Sequence, residues 1–360
     1  MSKSIFRTLR CCLLIYLMIL VAGCDATYYW QAASGQLQLI TERQSIEELV
    51  QSERTPPALK SQLQLILDAR QFALDRLPIT ANDSYLSYVD LKREHVIWNL
   101  FVTPKLSMEN QTWCYPIAGC VSYRGYFSQQ KALASAQDWQ QKGFDVYVGG
   151  VDAYSTLGWF DDPVLSSFLS RPPLGLAALL FHELSHQVLY VKDDTVFNES
   201  FATTVEEILL QQWVVHNHLQ PTWSDYHTNK ARQNAFMEMV IDNKLQRDQL
   251  FRSDRPASEK AIGKQRLIAD LASQYQQFKA EWDHYSGYDD WFAQGLNNAQ
   301  LSTIATYYEL APGFHALFQQ SNNDLAEFIN RCQALAERSK SERDSVLKQL
   351  ATANIDYTEN

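Results

Sequence analysis

Among 360 residues, one short run carries the residue types of metal-assisted hydrolysis: His182-Glu183-Leu184-Ser185-His186. On a helix, residues four apart stand on one face about one turn apart, so His182 and His186 are spaced to hold one metal ion from the same side. Glu183 is rotated from His182 by about 100° and stays near that ion, where it is placed to take a proton from a metal-bound water. The alternative is an ordinary helix carrying two solvated histidines. Against it, residues 174–181 are almost wholly apolar, which marks a buried helix whose polar groups need partners. A third ligand follows. Glu199 lies 13 residues after His186, in Asn198-Glu199-Ser200-Phe201-Ala202, which reads as the opening of a second helix. Two histidines and a glutamate, with water in the fourth place, form the ligand set of a catalytic zinc rather than a structural one. One Zn2+ ion is the expected cofactor. Glu206 follows Glu199 by seven residues on the same helix face, so it could orient a ligand histidine or simply be solvated.

These residues need a frame. Pro172 and Pro173 suit the first turn of the metal helix, where a missing N–H costs nothing. Upstream, 36–51 reads as a helix, and a second begins at Pro56 with Leu63, Ile66, Ala69 and Phe72 on one face. Residues 84–92 and 95–104 alternate as strands, 114–127 is an irregular strand region, Ser128 caps a helix to about 142, and 144–151 is a short strand. Beyond Glu199 everything reads as helix: 198–218, a hairpin over 222–252 and 257–287, shorter helices at 301–306 and 312–320, and a terminal helix over 324–351. The expected class is α+β, mostly helical, with a small mixed sheet in the first half and the metal helix at the junction with an all-helical second half. The expected division is a leader over 1–23, a tether over 24–36, an α/β half over 37–194, a helical half over 195–352 and a frayed tail over 353–360.

The start of the chain gives an address. Lys3, Arg7 and Arg10 precede an apolar run over 11–21 that is short for a membrane span and suits a signal peptide. It ends in Val21-Ala22-Gly23-Cys24, which resembles a bacterial lipobox, with Cys24 the lipidated residue; an ordinary signal peptide or a short anchor helix is the other reading. Asp25 resembles the signal that keeps such proteins on the inner membrane. Loss of the three basic leader residues takes the formal charge from −10 to −13, and no basic stretch suits nucleic acid. An oxidising periplasm then predicts a disulfide between Cys114 and Cys120 across a Pro- and Gly-containing loop. Cys332, among Phe328, Ile329 and Leu335 at helical spacing, reads as a core thiol.

His182-Glu183-x-x-His186 with Asn198-Glu199-x-x-Ala202 resembles the glutamate-zincins, at a spacing shorter than in their thermolysin-like and M1 aminopeptidase branches. The wider pattern resembles a bacterial family of predicted zinc aminopeptidases, through 28–36, 120–127, the helix pair and 297–307. That resemblance implies a zincin-like fold, an edge strand beside the cleft and a downstream Tyr or His that stabilises the oxyanion. Tyr307 falls in the matching part of the pattern, with Tyr308 and His315 as rivals. The edge would fall at 152–163, with Tyr154 against an extended peptide, or this is a surface turn. Arg124 could hold a substrate carboxylate or make a structural salt bridge. The function implied is a zinc-dependent peptidase at the periplasmic membrane surface, acting as an aminopeptidase, with a peptide substrate and a lipid anchor. An endopeptidase, a cell-wall peptide amidase and a non-catalytic zinc-binding lipoprotein are the alternatives, because the chain lacks the Gly-Ala-Met-Glu-Asn run of M1 exopeptidases.

Overall fold

A computed structural model describes residues 26–80, 82–115, 119–153, 161–304 and 310–358. In chain order the elements are α1 (Ala26–Thr41), β1 (Gln44–Ser45), α2 (Ile46–Gln51), α3 (Pro57–Leu74), β2 (Ser87–Val89), β3 (Ile97–Pro104), β4 (Trp113–Tyr115), β5 (Gly119–Val121) and β6 (Arg124–Tyr126). They continue with α4 (Gln129–Gln141), β7 (Phe144–Val151), β8 (Val164–Leu165), α5 (Pro173–Val188), α6 (Thr195–His216), α7 (Gln220–Arg252) and α8 (Ala257–Glu281). The last five are α9 (Asp289–Phe292), α10 (Asn298–Ser302), α11 (Ala311–Gln320), α12 (Leu325–Ala336) and α13 (Lys340–Thr358). The class is the expected α+β with helix predominating. Strand order is β1-β2-β8 in one sheet, β6-β3-β7 in a second, antiparallel one, and β4-β5 in a hairpin.

The apolar stripe of α3 is buried as its spacing predicts, at Leu63, Ile66, Ala69, Phe72 and Ala73. It packs on α5 and α6, with the Phe72 ring 6.0 Å from Phe181 and 5.1 Å from Trp213. On its other side α6 meets α11 and α12. Phe314 lies 5.1 Å from Phe197, and Phe201 stacks on Phe328 at 6.2 Å. Cys332 is buried in the same core. Each such Phe contributes about 1.5–3 kcal/mol by leaving water, so α6 is held from several directions and carries its side chains at fixed heights. The α7–α8 hairpin has its own core around Phe236, Val240, Leu271 and Tyr275. It is tied to the β3–β7 sheet by the Lys264–Asp145 ion pair and by Asn298, whose N–H donates to Asp145 Oδ2 at 3.0 Å.

The structure departs from sequence expectation at two places. The first helix covers 26–41, including residues expected as tether, and stops at Glu42. Gln44 and Ser45 pair instead with Tyr88 and Ser87, and Ser45 caps α2 by accepting from Glu48 N at 3.4 Å. A long-range strand pairing overrides local helix propensity there. The expected terminal helix is two, broken before Ser339. Its hydroxyl accepts from Glu342 N at 3.4 Å while Glu342 Oε2 accepts from Ser339 N at 2.9 Å, a reciprocal cap that starts α13.

Candidate metal centre and cleft

The helix that carries His182 and His186 starts where its prolines allow. Pro172 is extended (φ −55°, ψ 153°) and Pro173 opens α5, donating nothing where nothing would be accepted. The helix ends at Val188, and Leu189 turns extended. The chain must then return quickly. Asn198 makes it do so: its Oδ1 accepts from Val191 N at 2.7 Å and its Nδ2 donates to Val191 O at 2.8 Å. This side-chain clamp folds the loop onto the first turn of α6, which Asp194 caps by accepting from Phe197 N at 3.4 Å. Asp194 is itself held by Arg343 Nη2 at 2.7 Å and Lys340 Nζ at 2.8 Å. From outside, Cys120 N donates to Asp193 Oδ1 at 2.6 Å, so the β4–β5 hairpin also braces this loop. The expected Cys114–Cys120 disulfide closes that hairpin.

Glu199 thereby comes back to the histidines. Glu199 Oε2 is 3.1 Å from His182 Nε2 and 3.7 Å from His186 Nε2. One ligand atom from each of the three lies within 4.8 Å of the others. Their side chains are 12%, 8% and 18% exposed, so solvent does little to satisfy them. His182 Nδ1 is 3.2 Å from Glu206 Oε2, which turns the opposite ring nitrogen toward the centre. His186 Nδ1 has no hydrogen-bond partner among the described residues. Two imidazole nitrogens and a carboxylate oxygen at these separations are compatible with one metal ion.

The electrostatics fit a site that wants positive charge. Burial works against a charged His182, but hydrogen bonds to Glu199 and Glu206 outweigh it and raise the ring to about 10. Burial lowers His186 to about 4, leaving it neutral and able to donate a lone pair. Burial also opposes ionisation of Glu199, yet His186 and His182 hold its carboxyl below the usual range. Glu183 is buried and is pushed up to about 7, by burial first and by Glu199 and Asp162 against the pull of His182. Behind Glu206 the charges continue. Lys230 Nζ is 4.0 Å from Glu206 and 2.9 Å from Glu207, and Glu207 Oε2 is 2.8 Å from His315 Nε2.

Two cavities meet at His182 and Glu183. One, of about 390 Å³, is walled by Tyr28, Tyr115, Tyr123, Tyr190, Asn198 and Glu199. The other, of about 580 Å³, is bounded by Asp152, Arg171, Glu206, Lys230, Tyr226 and Tyr288. The end of β7 supplies Val151 to both. Gly150 is required there, since a Cβ would sit 2.0 Å from the His95 ring, whose Nδ1 is 2.7 Å from Asp152 Oδ1. Burial raises the Tyr123 hydroxyl far above its ordinary range, with the charges of Glu199, Tyr190 and Glu183 adding to it. Tyr123 and Tyr190 are therefore site residues that motif reading misses. An aromatic in a loop between two short strands has no diagnostic spacing. The guanidinium of Arg124 lies 3.8 Å from the Tyr28 ring centroid and lines neither cavity. His315 sits on Glu207 rather than beside the three ligands. Cys24, Tyr154, Tyr307 and Tyr308 lie outside the described residues.

Fold and site together define a mostly helical α+β protein whose cleft holds a His-His-Glu cluster fit for a metal ion. The family model described as "Putative aminopeptidase" matches residues 27–347, and the chain belongs to that family. No curated protein and no solved structure matches the chain.

Proposed function

We propose that this protein is a zinc-dependent peptidase, held by a lipid on Cys24 at the periplasmic face of a bacterial membrane. The observation that carries the reading is the approach of His182, His186 and Glu199 to one centre beside a buried Glu183. An ion bound there would polarise a peptide carbonyl and acidify a water in the cleft. The chain's own residues do the rest. The Glu183 carboxylate takes a proton from the attacking water and hands it to the leaving amine. Glu206 keeps the His182 ring turned so that Nε2 faces the centre. The hydroxyls of Tyr123 and Tyr190, on the wall opposite Glu183, are candidates to donate to the oxygen that becomes negative, beside Tyr307 from the family resemblance. The strand end at Val151 and the segment after it, with Tyr154, would lie along an extended substrate. Arg124, stacked on Tyr28, supports the wall rather than the substrate in this reading.

Family membership favours removal of N-terminal residues. Extension of the cleft past Glu183 on two sides favours a second reading, cleavage inside a chain. A mixed peptide library with free and acetylated N-termini separates them. Cleavage of free N-termini alone supports the aminopeptidase, cleavage of acetylated peptides supports the endopeptidase, and no zinc-dependent cleavage of either defeats both.

A further inference from the structure

The sixteen residues of α1 include no charged side chain. Its inner face is committed to the protein. Gln31 Oε1 accepts from Phe127 N at 2.9 Å, Leu39 is buried, and Gly35 lies so close to the Phe127 ring that a Cβ would stand 2.1 Å from it. The outer face is bare. Trp30 is 75% exposed, Leu37 59%, Tyr29 50% and Ile40 37%. Eight large apolar side chains are exposed among the described residues, and four of them are on this one helix. Trp30 and Leu37, seven apart, form a single stripe two turns long. On an acidic, water-soluble body such a stripe would ordinarily carry charge.

The preceding chain indicates what covers it. An apolar run occupies residues 11–21, with Lys3, Arg7 and Arg10 ahead of it, and Cys24 stands two residues before Ala26. Whether the attachment is a lipid on Cys24 or the apolar run itself, two residues span at most about 7 Å. The first turn of α1 is therefore at the bilayer surface. Its composition suits that place: Trp and Tyr favour the headgroup layer, and the absence of Asp and Glu removes repulsion from anionic lipid.

We propose that the outer face of α1 lies in the headgroup layer of the membrane, with Trp30 and Leu37 inserted, so that the helix orients the protein on the bilayer. The opposite face of α1 presents Tyr28 and Ala32 to the cavity that holds His186 and Glu199. A helix with its side chains is about 10–12 Å across, so the cleft opens about one helix diameter above the lipid. Peptide segments emerging from the membrane are then the substrate class. This last consequence rests on the peptidase reading, whereas the membrane contact does not.

The test uses the mature full chain reconstituted into phosphatidylethanolamine–phosphatidylglycerol vesicles, with and without dibrominated phosphatidylcholine. The Trp30 signal is the emission difference between wild type and Trp30→Phe, each checked for native near-ultraviolet dichroism. Brominated lipid is expected to lower that difference by about twofold or more, and Leu37→Glu to abolish the quenching while the chain stays with the vesicles. Equal Trp30 emission in both kinds of vesicle overturns the proposal. Shielding of Trp30 that appears only at high protein concentration, without bromine quenching, would also overturn it and assign the face to a second copy of the chain. The readout needs neither metal nor cleavage, so its failure is distinguishable from failure of the peptidase reading.

Discussion

Replacing Glu206 by Gln removes a charge while keeping the shape of the side chain. Glu206 Oε2 is 3.2 Å from His182 Nδ1, and this contact sets which ring nitrogen faces Glu199. A neutral amide still accepts a hydrogen bond there, but it no longer makes the imidazole a stronger donor to a cation. Loss of such an outer carboxylate costs about 10- to 100-fold in metal affinity, which is about 1.4–2.8 kcal/mol. The side chain is 15% exposed, so water screens the lost charge only in part. Lys230 keeps its closer partner Glu207 at 2.9 Å, so the fold has little reason to loosen. Zinc dissociation constants from competition with a chromophoric chelator at neutral pH, beside urea unfolding, measure both quantities. The expected result is zinc binding weaker by about 10- to 100-fold with nearly unchanged stability. Affinity within about twofold of wild type in a folded Glu206→Gln protein would refute the assignment.

Tyr123→Phe should lower kcat by about 100-fold or more, with KM and zinc content nearly unchanged, if its hydroxyl donates to the developing oxyanion; an equal loss from Tyr190→Phe instead would move the role to that residue. Asp194→Asn should destabilise the fold by about 3–5 kcal/mol in urea unfolding, because it leaves the buried Arg343 guanidinium without its counter-charge. The same carboxyl predicts a pH dependence. Burial pushes it up, but Lys340 and Arg343 prevail and hold it below the usual range. Its stabilisation is complete above the unfolded value of about 4 and is lost as pH falls through the lower folded value. Wild type should therefore lose urea resistance on acidification more steeply than Asp194→Asn does.

The parts of the molecule that sequence made legible are those governed by local rules. Helical periodicity placed His182 above His186, the N-cap preference placed Ser128 before α4, and strand patterning marked 144–151, which is β7. The return of Glu199 was legible because a short loop and a helix start leave few alternatives. What was not legible depends on distant partners. The end of α1 at Thr41 follows from strand pairing with residues 87–88, more than forty positions away. Tyr123 reaches the cleft only because β5 and β6 bring their loop there, and nothing in its neighbours announces it. Ser339-x-x-Glu342 did carry a local signal for a new helix, and the apolar series that continues past it obscured that signal.

The central claim is that three side chains hold a metal while a fourth moves the proton. Metal content and peptide hydrolysis of wild type, Glu183→Gln and Glu199→Ala, prepared side by side with zinc supplied, test it most directly. The account predicts one zinc per chain in wild type and in Glu183→Gln, hydrolysis by wild type only, and loss of bound zinc in Glu199→Ala. Wild type that binds no zinc, or Glu183→Gln that hydrolyses peptides as fast as wild type, would contradict it.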